Sequence, residues 1–295
     1  MLTSPVRLPA PPRLDALDRE YRDAARLKRR ATMGVAVAVI ALALFSGWLV
    51  GADPALLARR LPVFFSYFDR IFTLDGGARA WTDPREWFWG LRRWLRLLGD
   101  TLLIAYVGTF LGAAGGFFLS FASAANLVSN RWLRGTAKRF LEFCRTVPDI
   151  VFALIFVVAF GLGPVPGVLA LLVHTVGALG KQMSEVIENA DRKPIEGLTA
   201  VGASWPAMVR FAVVPQILPN FASYALLRLE INVREASVLG FVGAGGIGQD
   251  LMEAIRKFYY ADVSAILLLL IGTVMLIDLG TERVRHHLMG AESRA

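Results

Sequence analysis

Residues 31–50 form a run of twenty positions without a charged side chain, and that run limits where the chain can live. A helix of roughly 20 residues is what crosses the hydrocarbon layer of a bilayer. Such a helix satisfies its own backbone polar groups, which lipid cannot do. A secretory signal would carry a shorter apolar region of about 7–15 residues, so the run is read as a retained anchor. Five more segments share its character: 98–123, 140–161, 167–183, the unusually polar 220–240, and 263–280. With 55% of the residues hydrophobic and gathered in such runs, a soluble fold is excluded. The pattern predicts an all-α membrane protein with six transmembrane helices, one anchor followed by a five-helix core.

The connections divide the chain into four parts. Residues 1–30 open on Pro5, Pro9, Pro11 and Pro12 and are read as a cytoplasmic tail, with a charged helix over 15–30. Residues 31–97 hold the anchor and two amphipathic pieces, 56–74 and 84–98. The second sets Trp87, Trp89 and Trp94 beside Arg85, Arg92, Arg93 and Arg96. That composition suits a helix lying in the headgroup region with its apolar face toward lipid. Residues 98–285 form the core, and 286–295 a second cytoplasmic tail. With the amino terminus inside, inner connections hold 19 of the 32 Arg/Lys and outer ones 10. Such a bias places both termini in the cytoplasm. It also accounts for the net charge of +8 without nucleic acid, since no basic stripe lies on a soluble helix. In the second span Gly108, Gly112 and Gly116 fall four apart, on one face, where small residues admit a neighbouring helix.

Little in the chain suggests bond-making chemistry. Cys144 is a lone cysteine, which excludes an intrachain disulfide and a cysteine-rich metal site. The three histidines, two of them adjacent at His286 and His287, assemble no metal set and no Ser/His/Asp arrangement. Gly243, Gly245, Gly246 and Gly248 satisfy G-x-G-x-x-G, but a dinucleotide site needs a strand before that motif. Here a membrane helix precedes it, and the glycines are assigned to close packing at the outer mouth of the core. No G-x-x-x-x-G-K-[ST] is present, so no cofactor is expected in this chain and any ATP and Mg2+ belong to another polypeptide.

The fifth span is unusual. Arg228, Glu230, Asn232, Arg234 and Glu235 lie within eight residues, starting about 12 Å along the helix from Asn220 at 1.5 Å per residue. Ionisable groups at that depth face a protein interior or water and often mark a substrate path. Glu230 and Arg234 are i,i+4 and are read as a mutual pair. Arg228, Asn232 and Glu235 share another face, and both pathway lining and helix locking are open to Arg228 and Asn232. His174, inside the fourth span, is open to pathway and packing roles alike. Arg145 and Asp149 are read as a second i,i+4 pair at the start of the third span.

Between the fourth and fifth spans lies EGLTAVGASWPAMVRFAVVPQILP, residues 196–219, only half apolar and carrying Pro206, Pro215 and Pro219. A helix is expected over 196–203, then a bend across 202–206, because proline removes a backbone donor. A second short helix leads to Pro215. Glu196, Gly202 and Pro215 stand at the spacing E-x5-G-x12-P, which resembles the EAA loop of bacterial ABC-importer permeases. In that family the loop is the cytoplasmic segment that docks onto a separate ATPase. Its two alanines are here Gly197 and Leu198, its isoleucine Ala212 and its leucine Val214.

Further segments extend the likeness. GLGPVPGVLAL at 161–171, Gly180-Lys181 with Glu185 and Glu188, EGLTAVGAS at 196–204, VVPQILPNFASYALLRLEINVREASVLG at 213–240 and VGAGGIGQDL at 242–251 together resemble permeases of phosphonate importers. The resemblance covers roughly residues 98–285. It implies a methionine-importer-like, non-catalytic permease in the bacterial inner membrane. Two copies would form the pathway, with two ATP-binding subunits below, a substrate-binding protein outside, and alternating access between them. Glu196, Gly202, Ala203, Ser204 and Pro215 become the ATPase-docking residues, and Arg228, Asn232, Arg234, Glu235 and His174 the pathway candidates. Rival readings are a permease for phosphite, phosphate or an amino acid, and an ion-coupled secondary transporter using the fifth-span charges. Transport by this chain alone in liposomes would mark the latter.

Overall fold

A computed structural model describes the backbone of residues 11–292 and the side chains of 18–56 and 58–285. Pro5, Pro9 and the side chains of the tail from His286 onward lie outside the described residues. Contacts divide the chain into two compact units, Met1–Ser66 and Tyr67–Ala295.

In the first unit, α1 (Pro11–Val50) is one helix of 40 residues. The charged helix and the anchor expected as separate pieces are therefore continuous through Arg30 and Ala31. A change from polar to apolar side chains does not interrupt backbone hydrogen bonding, and no proline follows Pro12 before the helix ends. α2 (Pro54–Ile71) follows, with the Asp53 carboxylate accepting the Ala55 N–H at 2.8 Å.

The second unit opens on the end of α2 and the short α3 (Pro84–Trp87), whose first N–H groups are accepted by the Asp83 carboxylate. Next, α4 (Leu91–Ser123) runs for 33 residues. The expected interfacial piece 84–98 is thus not a separate helix, because its second half is the start of α4. Its apolar side chains are divided, since Trp89 and Leu95 are 67% and 49% exposed while others pack inward. Trp94 is 3% exposed, in a cluster with Leu98, Ile247, Val263 and Ile266. Trp87 Nε1 donates to the Ser264 hydroxyl at 2.9 Å, and Trp89 Nε1 donates to Asp262 at 2.8 Å. Indoles bring an apolar body and one donor, and the last helix supplies partners for both. Residues 67–97 fall in the same compact unit as the core.

The third span also departs from expectation. It is two helices, α5 (Arg131–Thr146) and α6 (Asp149–Phe160), meeting at 87°. Pro148 cannot donate a hydrogen bond, and it forces Val147 to an extended conformation at φ −75°, ψ 124°. The basic connection 126–139 is partly helical too, since Asn130 accepts the N–H groups of Trp132 and Leu133 and starts α5. The break takes Arg145 and Asp149 out of helical register. Their i,i+4 pair does not form among the described residues.

The order is completed by α7 (Pro164–Glu188), α8 (Arg192–Ala200), α9 (Trp205–Met208), α10 (Val214–Leu239), α11 (Ile247–Arg256) and α12 (Tyr260–Glu292), and no strand occurs among the described residues. α7 is the central helix, packed by α4, α5, α6 and α10. Small residues make this possible. A Cβ on Gly112 would stand 2.6 Å from Thr175 Cβ and 2.9 Å from the Leu172 carbonyl. One on Gly116 would stand 3.0 Å from the Gly180 nitrogen. On another face of α7, a Cβ on Gly177 would meet the Arg145 nitrogen at 2.5 Å.

Four helices among the described residues are long and apolar enough to cross a membrane: Asp18–Val50, Leu91–Ser123, Pro164–Glu188 and Tyr260–Arg285. The bent pair α5–α6 makes a fifth when counted as one span. At 26 residues α10 is about 39 Å long, but its polar residues, prolines and charges together leave it outside that set.

The glycine contacts yield a paired prediction. Gly112→Ala overpacks the α4–α7 contact and lowers the thermal midpoint of the purified protein, at a cost of about 1–3 kcal/mol. Gly99→Ala, with nothing within 4 Å, leaves the midpoint unchanged or raises it. Equal behaviour of the two variants in a melting assay in detergent would contradict the packing argument.

Candidate functional site

The conspicuous surface element is the elbow formed by α8 and α9. The Asp191 carboxylate accepts the Lys193 N–H and starts α8. The helix ends where the Gly202 N–H donates to the Thr199 carbonyl and the Ala203 N–H to that of Leu198, both at 3.0 Å. Gly202 is left-handed, at φ +76°. Paired bonds of this kind, closed by a left-handed glycine, are a common helix ending. The bend therefore spans 201–204. No separate second helix leads to Pro215. Instead α9 passes through a π turn, Val209–Val213, directly into α10, which begins at Val214 rather than at Asn220. Pro215 falls in the first turn of α10, a position that tolerates a missing N–H.

Glu196, Gly202, Ser204 and Pro215 are exposed and Ala203 is half-buried. Beside them Val201, Trp205 and Phe211 are 78%, 46% and 65% exposed, which gives the elbow an apolar face. Two tethers hold it to the core. Trp205 Nε1 donates to the Leu127 carbonyl at 3.1 Å, reaching the connection between α4 and α5. Gln216 Oε1 accepts the Asp191 N–H at 2.9 Å while its Nε2 donates to the Asp191 carbonyl at 3.3 Å. The sequence reading passed over both residues. The only signal for Trp205 is a large aromatic side chain in a turn of small residues.

Above the elbow, α10 carries its charges on distinct faces. Glu230 and Arg234 pair, and Arg234 also stands 4.0 Å from Asp278 of α12. Arg228 pairs with Glu235 across two turns, at 3.0 Å, and its side chain is 11% exposed. Asn232 is fully buried between three helices. Its Nδ2 donates to the hydroxyls of Thr109 on α4, at 2.7 Å, and Thr175 on α7, at 2.9 Å. His174 of α7 is half-buried, with Nδ1 lacking a hydrogen-bond partner among the described residues. Asp149, at the start of α6, lies within electrostatic reach of His174, Arg228 and Glu235. The residues brought together are thus Arg228, Glu235, His174 and Asp149, while Arg234 points elsewhere.

The four glycines of the G-x-G-x-x-G motif join α10 to α11. Gly243 accepts the Gly163 N–H at 3.0 Å through its carbonyl, and Thr101 accepts the Ile247 N–H at 2.9 Å. A Cβ on Gly248 would lie 2.0 Å from the Ser237 carbonyl, and one on Gly245 or Gly246 would crowd Pro164 or Thr101. A helix precedes this loop, and no group of His, Cys, Asp or Glu set to hold a metal occurs among the described residues.

A glycine-packed helical core with a broken span and a projecting elbow has the fold of a transporter permease. The structure matches the methionine ABC transporter MetNI in inward-facing conformations, with a TM-score of 0.58, at 23% identity over 70% of this chain and 98% of that one. The chain belongs to the family described as binding-protein-dependent transport system inner membrane component, whose model matches residues 112–288. It is 38% identical over 256 residues to the phosphite transport system permease protein PtxC of Stutzerimonas stutzeri, covering 86% of this chain and 89% of that protein. It is 46% identical over 119 residues to the putative cryptic phosphonate transport system permease protein PhnE2 of Escherichia coli, covering 40% of this chain and 98% of the relative. It is an ABC-importer permease, a multi-pass protein of the bacterial inner membrane.

The buried amide has a measurable weight. Interhelical hydrogen bonds in membranes contribute on average about 0.6 kcal/mol each, so Asn232→Ala destabilises the protein by about 1 kcal/mol in reversible unfolding. Adding Thr109→Val to that variant costs little more, because the two residues share one bond. Fully additive losses would argue against the bond.

Proposed function

We propose that this chain forms the translocation pathway of an ATP-driven importer for small phosphorus oxyanions, phosphonates foremost. Six spans are assigned to α1, α4, the broken pair α5–α6, α7, α10 and α12, with both termini and the elbow in the cytoplasm. Two copies line the pathway. Two ATP-binding subunits hold ATP and Mg2+ beneath the elbows, and an external binding protein delivers the anion. This chain carries no catalytic group in that scheme.

The observation that carries the reading is the elbow itself. It presents exposed Val201, Trp205 and Phe211 beside Glu196 and Gly202, and aromatic side chains that become buried on association dominate many protein interfaces. Its tethers run to the α4–α5 connection through Trp205 and to α10 through Gln216, so a push on it reaches two helices of the core. The oxyanion class is supported by the relatives named for phosphite and phosphonate transport. Arg228 and Arg234 agree with it, because guanidinium groups form strong charge-assisted bonds to such anions. Phosphite is the second reading, favoured by the relative aligned over most of its length.

Reconstitution with the ATPase and the binding protein is expected to give ATP-dependent uptake of methylphosphonate or phosphite into liposomes. Uptake by this chain alone, driven by an ion gradient, would overturn the scheme. The affinity of the binding protein for the two anions separates the first reading from the second. At the elbow the backbone angle matters rather than space, since a Cβ on Gly202 meets nothing within 4 Å. A left-handed conformation costs an ordinary L-residue about 1–2 kcal/mol, and Asn tolerates it best. Gly202→Val therefore weakens ATPase association and uptake several-fold in co-purification and transport assays, while Gly202→Asn retains most of both.

A further inference from the structure

We propose that Glu235 is a built-in stand-in for the transported anion: its carboxylate occupies Arg228 until an incoming phosphorus oxyanion displaces it. The inference rests on the oxyanion reading above.

Arg228 and Glu235 lie on one face of α10, two turns apart, joined by a single contact of 3.0 Å from Nη2 to Oε2. The guanidinium offers five donors in a flat fork matched to two oxygens of a carboxylate or phosphoryl group. Glu235 approaches it at one end. Arg228 Nε is buried and has no hydrogen-bond partner among the described residues, and the same holds for His174 Nδ1 on the facing helix α7. Burying a polar atom without a partner is costly, more so for a charged group. The hydrogen-bonding capacity of the arginine is therefore met by Glu235 only in part. A phosphonate or phosphite group carries more than one acceptor oxygen, arranged around a tetrahedral centre. It can take the Nη2 contact that Glu235 holds and reach Nε or His174 as well.

Charge balance favours the exchange. Around Arg228 stand Glu235 on the same helix, Asp149 at the start of α6 and His174 on α7. The other arginine of α10, Arg234, is engaged by Glu230 and Asp278 on a different face. One guanidinium thus already faces two carboxyl groups, which also stand within hydrogen-bond reach of each other. An anion entering beside both would meet the negative charge of the carboxyl pair, whereas one that takes the place of Glu235 at Nη2 keeps the attraction of the guanidinium with one carboxylate fewer beside it. Neutral solutes have no means of releasing the pair. The carboxylate makes selection for anions a competition rather than a simple attraction.

The test uses the full-length permease with its ATPase in lipid nanodiscs, without binding protein, and equilibrium binding of radiolabelled methylphosphonate with phosphite as competitor. Glu235→Gln is expected to tighten binding at least tenfold, and Glu235→Asp, whose carboxylate is one methylene shorter, to an intermediate degree. Arg228→Gln abolishes binding alone and in combination with Glu235→Gln. A pair with only a structural role predicts the reverse: both single variants lose uptake and the double variant regains it. That pattern overturns the proposal. Import of phosphonate or phosphite by the complete system, with no gain in affinity for either Glu235 variant, overturns the stand-in role alone. Binding of neither anion to any variant, with uptake of an unrelated solute, overturns the oxyanion reading together with it.

Discussion

The core depends on how closely α4 can approach α7. Inside a bilayer, apolar surface gains little by leaving lipid for another helix, so contact must come from packing and from hydrogen bonds between helices. Gly108, Gly112 and Gly116 provide the packing by letting the two backbones meet where any Cβ would collide. The same closeness brings the hydroxyls of Thr109 and Thr175 to one point, and a single amide on α10 then reaches both. Three helices are fixed by two elements of different chemistry, and neither would work at the wider spacing that larger side chains impose. Gly177 repeats the arrangement on the other side of α7, where α5 comes in.

This arrangement explains why charges are tolerated in α10. The helix is anchored by Asn232, so the residues around it keep fixed directions. Arg228 and Glu235 turn toward α6 and α7, and Glu230 and Arg234 toward α12. The elbow at the other end of α10 is joined to it through a π turn and to α8 through Gln216. Movement at the elbow and the arrangement of charges in the bundle therefore share one continuous helical element.

Patterns local to a helix were legible in the sequence. The small residues of α4 recur every fourth position, Glu230 and Arg234 are i,i+4, and the α8 bend is announced by Gly202. Features set by distant partners were not. Nothing in the sequence pairs Asn232 with Thr109 and Thr175, because each is an isolated polar residue in its own helix. Trp87, Trp89 and Trp94 among arginines have the composition of a lipid-facing helix, and the sequence does not show that Trp94 is buried against α11 and α12 or that Ser264 and Asp262 accept the indole N–H groups of the other two. Hydropathy averages across Pro148, so a bent pair looked like one span. A polarity change at residue 30 looked like a boundary, although backbone hydrogen bonding runs through it. Pro215 looked like the end of a helix because its position within the first turn is invisible until the π turn before it is known.

The bend at Val147 and Pro148 has a consequence for hydration. A helix crossing lipid hides every carbonyl, but Pro148 offers no N–H to the Cys144 carbonyl four residues earlier. Acyl chains have nothing to donate, and irregular backbone at such depth persists only against protein or water. What covers this bend is protein: a Cβ on Gly177 of α7 would stand 2.8 Å from the Cys144 carbonyl carbon, so the missing side chain lets α7 shield the irregular backbone from lipid and water alike.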